Sequence, residues 1–446
     1  MKGTEPGVAA RWLARLAVLA ALGSVAVLVW AVDDGGLEVV ASALTGLVIC
    51  AVGVWWFLAH RGVVRLLGAL LAVVAPAGVL ALYAFDGLWL TALVLILCWS
   101  GALGFARLAL RTARAQPLRT GVVAARPSRP VLIMNPKSGG GKVGRFGLVE
   151  KAEALGAEVI LLDPAAPADV AALARRAVAE GADLLGVAGG DGTQALVAAV
   201  AADHDLPFVV ISAGTRNHFA MDLGLDRADP ARCLDALADG EEIRVDLGEV
   251  AGRAFVNTVS FGVYADVVQR PEYRDDKTGT ALQLMPDLLS PEKGRRLDAR
   301  ADGTTLASQQ AVLVSNNPYA SPDELAAGRR PRLDDGVLGV LGIWVKDAVD
   351  AADLAVRGSQ STGLTVLTAR RVEVTGDAEE IPVAVDGEAL RMPTPVVCTT
   401  RPGALRVRLP RERPGVLVSG PRVNWTELLA LAFGRSRRTG DGRPGG

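Results

Sequence analysis

The sequence predicts three parts in order: an all-α membrane region, an open α/β domain with a largely parallel sheet, and a β-sandwich domain. Charge distribution is the first reason, because 11 of the first 110 residues are Asp, Glu, Lys or Arg, against 84 of the other 336. After Pro130, short apolar runs alternate with helical periods, which is typical of α/β domains. Beyond about Arg244, the apolar runs have the pattern of β-strands.

Length, charge and the rare residue types exclude several classes of protein. The 446 residues allow about three domains of roughly 150 residues. The formal net charge is −1, so no overall positive field points to nucleic acid. Three histidines are too few for a histidine-rich metal centre. The four cysteines lack the paired spacing of a zinc or redox site; they are Cys50, Cys98, Cys233 and Cys398.

Residues 1–110 contain four apolar stretches that predict transmembrane helices. A bilayer core of ~30 Å needs ~20 helical residues, and tryptophans, which favour the membrane interface, lie near the ends of the stretches. The stretches are Leu16 to Val32, Leu37 to Ala59, Leu66 to Phe85 and Gly87 to Ala106.

The flanking charges predict the orientation of these helices. Arginines and acidic residues alternate from one connection to the next, which places both ends of the region in the cytoplasm. The alternative is that the first stretch is a cleaved signal peptide, and the remaining three helices would still leave the rest of the chain cytoplasmic. We therefore expect a multi-pass protein of the cytoplasmic membrane.

Residues 111–129 form a basic linker. From Arg107 to Arg129, both included, there are six arginines and no acidic residue, so the segment could lie against anionic lipid headgroups. Alternatively, these arginines serve only as a topology signal.

The predicted α/β domain covers residues 130–243. Its helices are expected at Ala168 to Glu180 and at Thr193 to Ala202, and ligands of such domains bind at the carboxyl ends of the strands. The predicted strands are Val131 to Met134, Glu158 to Leu162, Leu184 to Ala188 and Pro207 to Ile211.

The predicted β-sandwich covers residues 244–412 and includes a helix-compatible stretch at Gly279 to Leu289. Residues 413–446 are expected to hold a short amphipathic helix, Trp425 to Phe433, and a disordered basic tail. The β-runs are Arg244 to Val250, Ala254 to Phe261, Gln310 to Ser315, Val337 to Val345, Arg371 to Thr375, Ile381 to Val385 and Leu405 to Leu409.

Two glycine-rich loops follow strands of the α/β domain. In the first, Asn135 to Lys142, glycines let backbone N–H groups approach an anion and lysines add charge, although its spacing is not that of a Walker motif. The second, Gly189 to Thr193, opens a helix and leaves room for a nucleotide, with Asp191 able to hold magnesium through water or to orient a hydroxyl. The structural alternatives are a flexible turn and an Asp-capped turn.

A third segment, Ser212 to Ala220, follows the fourth strand and brings Thr215 and Asn217 to the same edge of the sheet. Because the carboxyl ends of parallel strands share one edge, the three loops are expected to meet in one cleft.

The loops, in this order and followed by a β-rich domain, resemble the diacylglycerol kinase catalytic family, which includes sphingoid and ceramide kinases and bacterial lipid kinases. The match covers about residues 130–409, and its most specific elements are GGDGT and GTRNHFA. The resemblance implies ATP with Mg²⁺ in a cleft between a nucleotide-binding α/β domain and a β-sandwich. The implied nucleotide-binding residues are Asn135, Lys137, Ser138, Gly139, Gly140, Gly189, Gly190, Gly192, Thr193, Gly214, Thr215 and Asn217, with Asp191 in the magnesium and water network.

Two turns in the β-rich part extend the resemblance. Asp334-Asp335-Gly336 resembles the acidic turn that binds a magnesium ion shaping the family fold, with Asp335 as the implied side-chain ligand. Asp386-Gly387-Glu388 resembles the turn bearing the general base, which would be Glu388 or, as in some members, Asp386. Either could instead be an ordinary turn.

One position departs from the family pattern. His218 stands where the family has an acid, so either Asp222, one helical turn on, supplies the missing charge, or the metal geometry differs.

The sequence thus predicts a membrane-anchored lipid kinase that makes phosphatidic acid from diacylglycerol. A kinase of another lipid (sphingoid, ceramide-like or polyprenol) and an inactive membrane-tethered nucleotide sensor remain alternatives. A soluble-substrate kinase is less consistent with the four spans. The expected partners are the bilayer and its lipid, and the oligomeric state stays open, a homodimer included.

Overall fold

The computed structural model of the chain describes residues 8–30, 36–85, 89–113, 121–163, 165, 168–262, 265–266, 296–319, 330–345, 350, 361, 363–414 and 425–433. The chain forms two compact units, Met1–Pro117 together with Val418–Gly446, and Leu118–Leu417. The helix-compatible stretch at residues 279–289 and the basic tail lie outside the described residues.

The first unit contains the four predicted apolar helices, and each is long and apolar enough to cross a membrane. The first begins eight residues before the apolar stretch that predicted it, because the helix continues through Arg11 and Arg15, whereas hydropathy marks only its apolar part. The helices are α1 (Val8–Trp30), α2 (Gly36–Ala59), α3 (Val63–Phe85) and α4 (Trp89–Ala113).

Helix α1 packs on α4, and α2 packs on α3. At the α2–α3 crossing, a Cβ atom on Gly53 would lie 2.6 Å from the backbone nitrogen of Ala72, and one on Gly68 would lie 2.6 Å from that of Phe57. Glycine therefore permits the close backbone approach that stabilises helix pairs in membranes. The predicted C-terminal helix, Trp425–Phe433, also belongs to this unit.

The second unit begins with the α/β part. Strands β2 to β5 are parallel in the order β3-β2-β4-β5. The residues of β2, β4 and β5 are largely buried because helices cover the sheet, whereas those of the edge strand β3 are half-buried or exposed. The strands are β1 (Val122–Val123), β2 (Pro130–Met134), β3 (Glu158–Leu161), β4 (Leu184–Ala188) and β5 (Pro207–Ile211). The helices are α5 (Ser138–Arg145), α6 (Leu148–Ala154), α7 (Val170–Ala179), α8 (Asp191–Asp203), α9 (His218–Asp222) and a 3₁₀ helix, Pro230–Leu237.

The β-rich part is formed by twelve further strands of the described chain. They are β6 (Gly240–Val250), β7 (Arg253–Phe255), β8 (Thr258–Gly262), β9 (Leu297–Ala301), β10 (Thr304–Gln309), β11 (Ala311–Asn316), β12 (Leu338–Ile343), β13 (Leu364–Ala369), β14 (Arg371–Gly376), β15 (Glu380–Val385), β16 (Glu388–Pro393) and β17 (Val396–Pro410).

An antiparallel six-stranded sheet, β13-β12-β11-β8-β15-β16, packs over strands β9, β14 and β17 of the other sheet. Strand β17 also pairs in parallel with β5, so the sandwich sheet and the α/β sheet are continuous. The predicted order of a helical apolar region, a mostly parallel α/β part and an antiparallel β-rich part is confirmed.

One predicted strand, Ala254 to Phe261, is broken in the structure. It divides into β7 and β8, because the backbone N–H groups of Val256, Asn257 and Thr258 are donated to the Asp386 carboxylate instead of a neighbouring strand. This break brings the turn after β15 to the edge of the α/β part.

Candidate active site

The three predicted loops lie together at the carboxyl ends of β2, β4 and β5. A Cβ atom on Gly214 would lie 2.7 Å from the Cα of Gly190 and 2.9 Å from the carbonyl oxygen of Gly189. A Cβ atom on Gly139 would collide with the carbonyl oxygen of Ala213. The third loop therefore touches both of the others through backbone, at distances that only glycine allows.

The first loop makes a left-handed turn. Asn135 accepts a hydrogen bond from the backbone N–H of Lys137 at 3.0 Å, and the carbonyl of Asn135 accepts one from Ser138 at 3.1 Å. The next three glycines, Gly139 to Gly141, have φ angles of 55°, 72° and 80°, a conformation that other residues rarely adopt.

Lys142 joins this loop to the third loop and does not serve as a free phosphate ligand. Its Nζ donates to the carbonyl oxygens of Arg227, at 2.9 Å, and Ser212, at 3.4 Å. Burial, followed by the charges of Arg227 and Arg145, lowers the pKa of Lys142. Lys137, by contrast, is exposed on the loop.

The second loop leads directly into helix α8. The N-cap of α8 is Gly190, which has no side chain to cap the helix, so the first backbone N–H groups of α8 suit an anion. Thr193 lies against Gly189, where a Cβ atom would be 3.0 Å from that of Thr193.

Asp191 links the second loop to the third. It is 8% exposed, and its carboxylate accepts hydrogen bonds from the backbone N–H groups of His218, at 3.1 Å, and Phe219, at 3.3 Å. Asp191 thus positions α9 as well as facing the cleft, a structural role beside the predicted magnesium role.

The side-chain amide of Asn217 forms hydrogen bonds within its own loop. It is 1% exposed and has a φ of 50°; its Oδ1 accepts from Gly214 at 2.9 Å, and its Nδ2 donates to the carbonyls of Ser212 and Gly214 at 2.8 and 2.7 Å. These bonds use the amide fully, so Asn217 shapes the loop, whereas Thr215 and Arg216 are exposed.

The Asp386-Gly387 turn joins β15 to β16 and brings Glu388 to the second loop. Both turn residues have positive φ, 48° and 85°, as a two-residue hairpin of this kind requires. A Cβ atom on Gly192 would collide with the Glu388 carboxylate, which is paired with the Arg253 guanidinium. Glu388 nevertheless stays 45% exposed, so this predicted catalytic residue faces the cleft.

Asp386, the first residue of this turn, is anchored by backbone hydrogen bonds. Its carboxylate accepts three backbone hydrogen bonds of 2.9 Å, from Val256, Asn257 and Thr258. Burial, and then the charge of Asp191, raise the pKa of Asp386 to about 7 in spite of these donors. The negative charges of Asp386 and Asp191 therefore repel each other.

The acidic turn carries its own counter-ion. The Asp335 carboxylate lies 2.7 Å from Nε of Arg332, and Asp334 lies 3.0 Å from Nη2 of the same arginine. Asp246, which was not predicted, anchors the turn by accepting from Gly336 and Gly403 at 2.7 Å. Within the described ranges, no three acidic, histidine or cysteine side chains lie close enough together to bind a metal. A magnesium ion at Asp335, which the resemblance implies, would therefore take its other ligands from backbone carbonyls and water, and this role stays a prediction.

A buried ion pair that the sequence did not reveal lies behind the cleft. The Asp222 carboxylate accepts from Nε and the backbone N–H of Arg330 at 2.8 and 2.9 Å, and Nη1 of Arg330 donates to the carbonyl of Val256 at 2.8 Å. Burial raises the pKa of Asp222 to about 6 against the attraction of Arg330. Asp222 is thus committed to Arg330 and does not replace the acid missing at His218.

The chain matches a family model and curated relatives. The model of the diacylglycerol kinase catalytic domain matches residues 129–250. A diacylglycerol kinase of Bacillus subtilis is 33% identical over 278 residues, covering 58% of this chain and 89% of that protein. A protein of Pseudomonas fluorescens named as a probable lipid kinase, YegS-like, is 30% identical over 276 residues, 57% of this chain and 86% of its own length.

The chain belongs to the diacylglycerol kinase-like lipid kinase family. Its match to the diacylglycerol kinase of Mycobacterium tuberculosis is shorter: the two are 32% identical over 120 residues, and the chain spans 39% of the length of that relative. The crystal structure of a Bacillus anthracis protein assigned to the diacylglycerol kinases shares the fold, with a TM-score of 0.50 and 19% identity, covering 64% of this chain and 98% of that one.

Proposed function

We propose that this protein is an ATP-dependent lipid kinase that transfers the γ-phosphoryl group of ATP to the hydroxyl of a membrane lipid. The observation that carries this proposal is the position of Glu388, a carboxylate of the β-rich part set against Gly192 at the uncapped start of α8. An anion site and a candidate base thereby share one cleft. Diacylglycerol, giving phosphatidic acid, is the simplest substrate, and it agrees with the names of the relatives.

The nucleotide would bind through backbone N–H groups. The glycine turn Gly139 to Gly141 and the first N–H groups of α8 lie on two sides of Gly214 and would hold the phosphates. Lys137 and Thr215 are exposed beside them. Phosphoryl transfer asks a protein mainly for such positioning and charge stabilisation.

Magnesium would enter with ATP, and it would neutralise charge that develops on the phosphates. Asp191, in the first turn of α8, would help to hold the ion through water. The fold-shaping magnesium ion that the resemblance implies at Asp335 is a separate ion, and it would replace Arg332 as the partner of that carboxylate.

Glu388 would accept the proton of the lipid hydroxyl while the oxygen of that hydroxyl attacks the γ-phosphorus of ATP. The bond between the γ-phosphorus and the β–γ bridging oxygen would break, and ADP would leave. Asp386 would act as a positioning residue, because each of its oxygens already accepts backbone N–H groups. Arg253 would orient the Glu388 carboxylate through their ion pair.

The four apolar helices would span the cytoplasmic membrane and keep the cleft on its cytoplasmic side. A substrate that cannot leave the bilayer favours such an anchor, because tethering raises its effective concentration.

The direct test is to supply labelled ATP and vesicles containing diacylglycerol, ceramide, sphingosine or a polyprenol, one lipid at a time. We expect labelled phosphatidic acid from the wild-type protein. Label in another lipid would redefine the substrate. ATP binding without transfer to any lipid would overturn the kinase proposal and favour a nucleotide sensor, the alternative raised by His218.

A further inference from the structure

The C-terminal helix, Trp425–Phe433, is docked on the first and last of the apolar helices. Leu428 and Ala432 are fully buried in a cluster with small residues of α1 and α4. The cluster consists of Ala14, Ala17, Ala106, Ala109, Leu110, Leu428 and Ala432. Small residues permit the close helix approach that membrane interfaces use.

Polar and aromatic contacts fix both ends of this helix. Nε of Arg15 donates to the carbonyl of Ala432 at 3.1 Å, a favourable site for a cation at a helix C-terminus. At the other end, the rings of Trp425 and Trp99 lie 6.3 Å apart. The helix therefore runs from the middle of α4 towards the basic end of α1.

The contacted parts of α1 and α4 lie within the segments that can span a membrane, Ala9–Val27 and Trp89–Leu110. The outer face of the docked helix is apolar as well, with Leu429 44% and Phe433 68% exposed. Exposed apolar side chains on a docked helix suit hydrocarbon, and the polar residues of this segment, Thr426 and Glu427, both fall in its first turn. Nine residues extend only ~14 Å, about half of a ~30 Å bilayer core.

We propose that Trp425–Phe433 is a membrane anchor set in one leaflet, so that the second unit, Leu118–Leu417, is fastened to the bilayer at both of its ends. This inference rests on the proposal that α1 to α4 span the membrane. A chain attached at both ends loses orientational freedom that a single linker would leave, and its cleft is held to one surface.

The test uses the full-length protein in membrane vesicles, with protease sites inserted at residue 120 and between Pro414 and Trp425, and with different epitopes at the two termini. After cleavage and carbonate extraction, we expect both terminal fragments to stay in the membrane pellet. Release of the C-terminal fragment alone would overturn the second anchor. Release of both fragments would overturn the transmembrane proposal itself.

Cysteine labelling separates docking in the leaflet from adhesion to its surface. With a membrane-impermeant maleimide, we expect Phe433→Cys to react at least about tenfold more slowly than Thr304→Cys, on an exposed strand of the second unit. Adding Ala432→Leu, which overfills the buried contact, should speed the labelling of Phe433→Cys, whereas Leu429→Ala on the exposed face should not. Equal rates for Phe433→Cys and Thr304→Cys, or no effect of Ala432→Leu, would overturn the proposal.

Discussion

Glu388 and Asp386 are two residues apart but have different environments, and this difference separates the two candidate bases that sequence left open. Three backbone N–H groups saturate Asp386, whereas Glu388 is nearly half exposed beside the second loop. A general base needs a free lone pair within reach of the proton that it accepts. The surroundings therefore favour Glu388 as the base and Asp386 as the residue that holds the β7–β8 break.

Glu388→Gln should lower kcat by ~10² to 10⁴ while KM barely changes, because the amide keeps the shape but cannot accept the proton. Steady-state kinetics with diacylglycerol vesicles measures both constants. Glu380→Gln is the matched control, since Glu380 lies on the same hairpin in an exposed ion pair with Arg391, and it should keep wild-type rates. If Asp386→Asn loses kcat at unchanged stability while Glu388→Gln does not, Asp386 is the base.

Asp386 should also give the protein a specific pH dependence of stability. Its pKa is about 7 when folded and ~3.9 when unfolded, so the folded state holds the proton more tightly between these values. The stability that this group contributes is then complete below pH ~4 and is lost as the pH rises through about 7. Asn at this position does not titrate.

The measurement is the Tm of the wild-type protein minus that of Asp386→Asn, in detergent, from pH 5 to pH 9. We expect this difference to shrink up to about pH 8 and then to level off. A difference that grows with pH would mean that the folded state prefers the carboxylate.

Among the strands, those that position the loops were predictable, whereas β9 of the β-rich part was not. Strands β4 and β5 match the predicted ranges because buried parallel strands are apolar on both faces. Strand β9, Leu297–Ala301, contains Asp298 and Arg300 on its exposed face, so its short apolar pattern gave no signal. The loops were found because each directly follows a buried strand.

The first loop offers a test of the glycine turn. Gly139→Ala should weaken ATP binding, because alanine costs ~1–2 kcal/mol at positive φ and its Cβ would collide with the Ala213 carbonyl. Gly144→Ala in the same helix is the control, since its Cβ would meet nothing within 4 Å. ATP titration should give a raised Kd for the first variant only; equal Kd values would remove this turn from the nucleotide site.

The Asp222–Arg330 pair could not be found from sequence, because its partners are 108 residues apart and neither lies in a recognisable motif. Arg330→Met should lower the free energy of unfolding by ~3–5 kcal/mol, since it leaves a buried carboxylate without its partner. Arg332→Met, at an exposed arginine, should change it by less than ~0.5 kcal/mol. Chemical unfolding in detergent measures both, and Asp222→Leu combined with Arg330→Met should recover part of the loss.

The proposed topology depends on the direction of the apolar helices, because a cleft that uses ATP must lie on the cytoplasmic side of the membrane. Helix α1 packs on α4 so that Ala14 and Ala17 meet Ala106 and Ala109. This antiparallel pairing places the arginines near the start of α1 and those near the end of α4 at one end of the pair. In the proposed topology, this end of the pair lies in the cytoplasm, where basic residues are enriched.

Reporter fusions test this topology directly. Alkaline phosphatase, which is active only outside the cytoplasm, should be active after Asp34 and Asp86 and inactive after Arg61 and Pro130, because arginines flank the second pair of sites and acidic residues the first. A fluorescent reporter that matures only in the cytoplasm should give the opposite pattern at the same four positions. An N-terminal epitope that survives in the mature protein would exclude cleavage before α2. Phosphatase activity after Pro130 would place the cleft outside the cytoplasm, away from ATP, and would overturn the kinase topology.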